Sequence, residues 1–275
     1  GYGTIKSMLS AFQASANSLA KLDTFGAVKA QVSNSDVMTV ATGANAIAGN
    51  HNVNVKSLAQ AQSLAGAGQL KQDAVIGTGT LTFEFGVTGG YDADPASPTY
   101  GTYVNPTFTP TADSAKTVTI DSSNQTLQGI RDAINKANMG VKASIINDGS
   151  GTPYRLVLNS EKTGEAMSMR ITGSSPELQA LAGYDPVAGP QPGGMKEVVR
   201  ATNAQLTIND IAITSASNVV TDAAQGVTMT LKKTGTTSMT LTQDLDSIKA
   251  AVQGLATAYN NLQSATKQLT AFDVK

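Results

Sequence analysis

Near the start of the chain the apolar residues fall at Ile5, Met8, Leu9, Phe12, Ala16, Leu19 and Leu22, with Ile5, Phe12 and Leu19 seven apart. That spacing puts one sticky stripe along a helix, which stops near Asp23-Thr24-Phe25-Gly26. Near the end of the chain Leu245, Val252, Tyr259 and Thr266 alternate with Ile248, Leu255, Leu262 and Leu269 at strict three-four spacing. These heptads place one seam on a rod of about 42 Å, and only Thr266 in it is markedly polar. Gly254 inside the rod costs about 1 kcal/mol against Ala, so packing must hold the helix together. The two stripes predict helices over about 4–22 and 244–272 that pair antiparallel as a stem. They would bury Ile5, Phe12 and Leu19 against Leu245, Ile248, Val252, Leu255 and Tyr259, with Leu262 and Leu269 extending the seam.

Between these stripes the period changes to two. Leu81, Phe83, Phe85 and Val87 alternate with polar neighbours, as do Val118 and Ile120, Leu206 and Ile208, Val227, Met229 and Leu231, and Met239 and Leu241. Such segments are half-buried strands. Asn209-Asp210 reads as a tight hairpin turn, and Asp148-Gly149-Ser150-Gly151 as a longer one. One internal helix is predicted over 126–139, with Leu127, Ile130, Ala133, Ile134 and Ala137 on one face, Thr126 as cap and Gly140 as terminator. The fold class is therefore α+β, mainly β: two β-rich head domains, one inserted in the other, on an antiparallel terminal helical stem. Loop punctuation divides the chain into an N-terminal stem helix at 1–24, an inner head domain at 25–72 and 200–243, an inserted outer head domain at 73–199, and a C-terminal stem helix at 244–275. The junction signals are Gly66 to Gly68 and Pro186 to Gly194.

The 275 residues suit one large or two small domains, of which two is the working expectation. Aromatics are 5%, Trp is absent and Gly numbers 26, so bulky core builders are scarce. Lys plus Arg 19 against Asp plus Glu 20 leaves a net charge of -1, which argues against nucleic acid or an anionic membrane as partner. With Cys 0 and His 1, thiolate sites, disulfides and multi-histidine metal sites are excluded. The longest uncharged stretches, 37–55 and 95–112, are rich in Asn, Thr, Gly or Pro and supply no membrane span. Gly1-Tyr2-Gly3-Thr4 has no signal-peptide character.

Motifs that could carry chemistry fail one by one. Ser18-x-x-Lys21 and the two Lys-Thr-Gly triplets at 162–164 and 233–235 match fragments of a serine β-lactamase, but Ser18 and Lys21 flank Leu19 on the heptad helix. The Ser-Asp-Asn element is missing as well, since Val37 follows Ser35-Asp36. His51 has no orienting acid nearby in sequence and reads as a turn histidine. Gly77-x-Gly79 has Thr82 where a dinucleotide loop needs glycine, and runs into a strand. Asp92, Asp94 and Asn147-Asp148-Gly149 lack the glutamate of a calcium loop. Asn124-Gln125-Thr126 fits a glycosylation sequon, though Thr126 serves better as a helix cap. The expectation is a protein that is not an enzyme and takes no metal or cofactor.

The text of the chain then resembles one family. Val32-Ser33-Asn34-Ser35, Ala46-Ile47-Ala48-Gly49 and Val53 to Ala61 come first, followed by Gly77-Thr78-Gly79-Thr80-Leu81. Thr126-Leu127 through Ile134-Asn135, Gly140 to Ile145, Tyr154-Arg155-Leu156 and Ser160 to Gly164 follow. Leu206 to Asn209, Ser217-Asn218, Gly226-Val227-Thr228 and Ala258-Tyr259-Asn260 complete the order. This set resembles the flagellar filament cap protein family, also called hook-associated protein 2; the stretches 86–115 and 165–195 stand apart as a variable outer surface. The family's proteins carry further helical and disordered ends, so the chain reads as the core of a longer protein. The resemblance implies a secreted, extracellular structural protein at the distal tip of the bacterial flagellum, exported by the flagellar type III machinery. It implies self-association into a ring, weak in this core, and flagellin as the partner whose insertion it promotes. The alternative expectation is a surface adhesin binding host glycan or mucin through Tyr91, Tyr100, Tyr103 and Tyr184.

Overall fold

A computed structural model describes residues 2–20, 26–43, 45–189 and 193–270. The chain divides into two compact units, one of 1–54, 207–211 and 219–275, the other of 55–206 and 212–218.

The first unit holds two sheets and the terminal helices. One sheet has the order β1-β16-β3-β12-β13, from Val28–Val32, Gly235–Gln243, Gly49–Ser57, Ala204–Ile208 and Ile211–Ser215. The division leaves residues of β3, β12 and β13 in both units. The other sheet is β14-β15-β2, from Val219–Ala224, Val227–Leu231 and Met38–Thr42. Alternation does what the sequence predicts: Val227, Met229, Leu231, Met239 and Leu241 are buried, joined by Met38 and Val53. The β12–β13 turn carries Asn209 and Asp210 at φ 49° and 67°, the left-handed pair of a type I′ hairpin. Asn209 also explains the lone histidine. Its backbone N–H donates to Asn52 O (2.9 Å), its side-chain oxygen accepts from Asn52 N (2.9 Å), and its amide nitrogen lies 3.1 Å from His51 Nδ1. His51 is a turn partner.

The second unit has two antiparallel sheets and two helices around one core. The order β11-β4-β9-β8 joins Lys196–Val199, Ser63–Gln69, Tyr154–Ser160 and Val141–Asn147. The order β10-β5-β6 joins Ser168–Gly173, Gly79–Tyr91 and Tyr103–Pro110, and β7 (Lys116–Ile120) pairs with the first half of β5. Leu64, Leu156 and Leu158 from the first sheet meet Leu81, Phe83, Ile120, Met169 and Ile171 from the second. Helix α2 (Leu127–Lys136) adds Leu127, Ile130 and Ile134 on one face, and α3 (Pro176–Ala182) adds Leu178 and Leu181. Thr126 caps α2 as its sequence predicts, its hydroxyl accepting from Gly129 N at 3.1 Å. Asn135 ties α2 to β8 at both ends of its amide, 2.9 Å to Ala143 O and 2.8 Å from Ala143 N.

Two expectations need correction. The sequence reading puts residues 63–69 in the inner head domain, with Gly66 to Gly68 as junction punctuation; instead they form β4, hydrogen-bonded between β11 and β9 inside the second unit. The glycines serve close packing there: a Cβ on Gly68 would lie 1.9 Å from the Thr152 carbonyl oxygen. Val87, expected in the inward row of β5, is 40% exposed. It lies past the segment paired with β7, where β5 continues as a two-stranded ribbon with β6.

Candidate assembly surfaces

Helices α1 (Tyr2–Ala20) and α4 (Leu245–Thr270) pack together in the first unit. Their direction follows from the sheet they adjoin. Val28 of β1 is registered opposite Gln243 of β16, and Asp244 N donates to Ala27 O at 2.7 Å, so α4 begins where the chain after α1 re-enters the sheet. Phe12 then meets Tyr259 further out, their ring centres 6.2 Å apart, which makes the pair antiparallel. Asp244 caps α4, accepting from Ser247 N at 3.1 Å and from Ser247 Oγ at 2.6 Å. The Ser247 hydrogen bonds hold the Asp244 carboxyl below its ordinary range. Lys29 reaches Asp246 at 3.0 Å, an exposed pair of small energetic weight.

The helix pair covers only one of the two rows of the predicted seam. Ile5, Met8, Phe12, Ser15, Ala16 and Leu19 are half-buried on α1. On α4 the half-buried row is Ile248, Leu255 and Leu262 with Ala251 and Ala258, and Ala265 is buried. Leu245, Val252 and Tyr259 remain 63%, 47% and 49% exposed, although Tyr259 touches Phe12 with its ring edge. Alanine on one flank of the Ile248 row lets two backbones approach closely, which a row of Leu, Val and Tyr would not. The side chain of Leu269 lies outside the described residues, as does Lys21.

The tyrosines proposed as binding residues divide three to one. Tyr91 and Tyr103 meet edge to face at 5.3 Å, and the Arg200 guanidinium stacks 3.8 Å over the Tyr91 ring. Tyr103 Oη donates to Glu197 Oε1 at 2.9 Å, and Tyr184 is buried beside the same cavity as Glu197. Burial first, and the Glu197 charge second, push both phenols far above their ordinary pKa. Tyr100 stands apart in the turn between β5 and β6, 55% exposed. Glu197, Arg200 and Gln62, which complete the cluster, carry no signal in the sequence. Glu197 lies 94 residues from Tyr103 and 135 from Gln62, and the pairing of β11 with β4 brings it beside Gln62.

Among the described residues no group of His, Asp or Glu is placed to hold a metal ion, and no helix is long and apolar enough to cross a membrane. What the fold defines is a structural class: a mainly β protein that carries an antiparallel pair of terminal helices. Residues 1–62 match the model for the flagellar hook-associated protein 2 N-terminus, 201–275 the model for its C-terminus, and 104–162 the flagellin hook IN motif. The flagellar hook-associated protein 2 of Escherichia coli K12 is 36% identical over 275 residues, covering 98% of this chain and 53% of its own length. The B-type protein of Pseudomonas aeruginosa PAO1 is 31% identical over 284 residues, covering 98% and 54%. The crystal structure of the D1-D2-D3 domains of the flagellar cap protein FliD from Escherichia coli superimposes with a TM-score of 0.80 at 36% identity, over 98% of this chain and 70% of that one. The chain belongs to the flagellar hook-associated protein 2 family, the flagellar cap proteins. It spans about half the length of the curated relatives it matches. The adhesin alternative finds no support in these matches: Tyr91 carries Arg200, Tyr103 is hydrogen-bonded to Glu197, and Tyr184 is buried.

Proposed function

We propose that this chain is the core of a flagellar filament cap, a structural, non-catalytic assembly protein. It acts at the distal tip of the flagellum, outside the cell, after export by the flagellar type III machinery, and it shapes the space in which flagellin subunits insert. The observation that carries the reading is the match of both chain ends to one cap-protein family, joined to a fold that superimposes on a cap-protein structure over 98% of its length. The antiparallel helix pair fits the role of a stem.

A cap must release and regrip as each subunit enters, so its self-contacts have to be individually weak. A chain with 5% aromatics and a polar, Thr-, Ser- and Asn-rich surface suits such contacts better than a permanent apolar interface. In dilute solution the 275-residue chain is expected to sediment as a monomer or in concentration-dependent equilibrium; a ring that stays intact at nanomolar protein would contradict this. The function itself is tested by deleting the gene in its own cell. Exported flagellin should then diffuse away without polymerising, and the restored gene should return filaments. Filaments of normal length in the deletion strain would overturn the reading.

A further inference from the structure

The tyrosine cluster opens onto a cavity of about 260 Å³ in the second unit, lined in part by Tyr103, Tyr184, Asp185, Met195, Lys196 and Glu197. This is smaller than the roughly 300–1,000 Å³ of sites that enclose whole small-molecule ligands, and it suits one side-chain head. The Glu197 carboxylate is held in place by its surroundings. Tyr103 donates to Oε1 at 2.9 Å and Gln62 Nε2 donates to Oε2 at 2.6 Å. Gln62 is wholly buried, and its other amide end accepts from Met169 N at 2.6 Å, so it cannot swing away.

Glu197 is half-buried, yet among the described residues it forms no ion pair. Glu84, Asp132, Asp148, Glu161 and Asp246 have an Arg or Lys within reach, whereas Glu165 and Asp185, half-buried like Glu197, form no ion pair among the described residues either; Glu197 is set apart by being fixed from both oxygens. The rings tell the same story. Phe108 carries the Arg170 guanidinium 4.7 Å from its centre and Tyr91 carries Arg200, while neither Tyr103 nor Tyr184 holds a cation among the described residues. A positioned, unpaired carboxylate beside two phenol rings and a thioether is recognition chemistry for a cation. Asp185 adds a second acid against the single amine of Lys196.

We propose that this cavity binds a primary alkylammonium, the head of a lysine side chain presented by another protein. Both Glu197 oxygens already accept a hydrogen bond from within the unit, so a guanidinium fork would have to share both with Tyr103 and Gln62, whereas an ammonium N–H needs only one of the remaining acceptor positions. A carboxylate has roughly four acceptor positions; Tyr103 and Gln62 account for two, leaving room for an ammonium N–H. A quaternary ammonium has no N–H to place there.

The test titrates the 275-residue chain with three probes that differ only at the head: Nα-acetyl-lysine methylamide, its Nε-acetylated form and its Nε-trimethylated form. Binding is read from the methionine methyl NMR signals, with Met195 assigned by mutation. The primary amine should shift the Met195 signal saturably, the neutral form should not, and the trimethylated form should bind several-fold more weakly. Glu197→Gln, which keeps the shape and removes the charge, should weaken binding at least tenfold, whereas Tyr103→Phe should change it by less than about threefold. If Glu197→Gln fails to fold, the contrast between the amine and its neutral form decides alone. Equal binding of the neutral probe, tighter binding of the trimethylated probe, retention in Glu197→Gln, or no shift at Met195 would each overturn the assignment.

Discussion

In the second unit Phe83, Leu127, Ile130, Ile134, Leu156 and Leu158 are wholly buried among two sheets and two helices, whereas Ile248, Leu255 and Leu262 on α4 are only half-buried and Leu245, Val252 and Tyr259 stay open. The residue types are alike; the number of layers around them is not. A core closed on all sides collects the full transfer energy of each side chain, about 1.5–3 kcal/mol for a Leu or Phe. Two helices lying side by side cover one face of each other and collect about half. The second unit therefore has what it needs to hold its own fold, while the helix pair retains an apolar row that its two helices do not cover. The contrast is one of closure: a core enclosed on all sides against a seam covered on one.

The sharpest way to break the contrast is truncation on each side of it. Phe83→Ala should cost about 3–5 kcal/mol, because it leaves a cavity inside a core that cannot collapse. Leu255→Ala should cost only about 1–2 kcal/mol, less than the roughly 2–4 that a dry seam would impose. Val252→Ser should fall within about 0.5 kcal/mol, since solvent already reaches it. Amide hydrogen exchange reads the sheets and helices separately, so each loss can be located. A Leu255→Ala effect as large as that of Phe83→Ala would show that the seam is dry and the two regions equivalent.

The sequence-level reading succeeds where a signal is local and falters where it depends on distant pairing. Period two marks Leu81 to Phe85, Val227 to Leu231 and Met239 to Leu241 as strands, and Thr126 announces the start of α2, because each of these is decided within a few residues. The heptads of α4 mark the helix but leave its phase open. The Ile248 row has a large-residue row on one flank and an alanine row on the other, and only the partner helix decides between them. Gly66 and Gly68 look like a linker and are the middle of a strand, because the neighbour that demands the second of them is Thr152, more than 80 residues away. The same distance hides the cavity. Gln62, Tyr103 and Glu197 lie on three segments whose pairing nothing local specifies, and no spacing in the chain relates them. Tyr103 and Tyr184 could be picked out as aromatic residues in loop-rich stretches; the carboxylate that gives them a chemistry could not.

The smallest expected effect uses acid to compare the two regions once more. Asp148, in the turn between β8 and β9, has its carboxyl lowered to about 2 by the Ser150 hydrogen bonds and by Arg155. Asp244, at the start of α4, is lowered by Ser247. Both lie below the roughly 3.9 of an unfolded aspartate, so each contributes stability above that pH and loses it as pH falls through the folded value. For Asp148 the window runs from about 4 down to about 2. Protonation there loosens a turn backed by a closed core, and protection of the β8 and β9 amides should barely change. Protonation of Asp244 removes the cap from a helix that is held only by a half-buried seam, so the first-turn amides of α4 should lose protection on acidification. Asp244→Ala should show that loss already at neutral pH and add little more in acid. If Asp244→Ala retains the acid dependence of the unmodified chain, the cap is not what acid releases; if β8 and β9 open before α4 does, the second unit is not the firmer of the two.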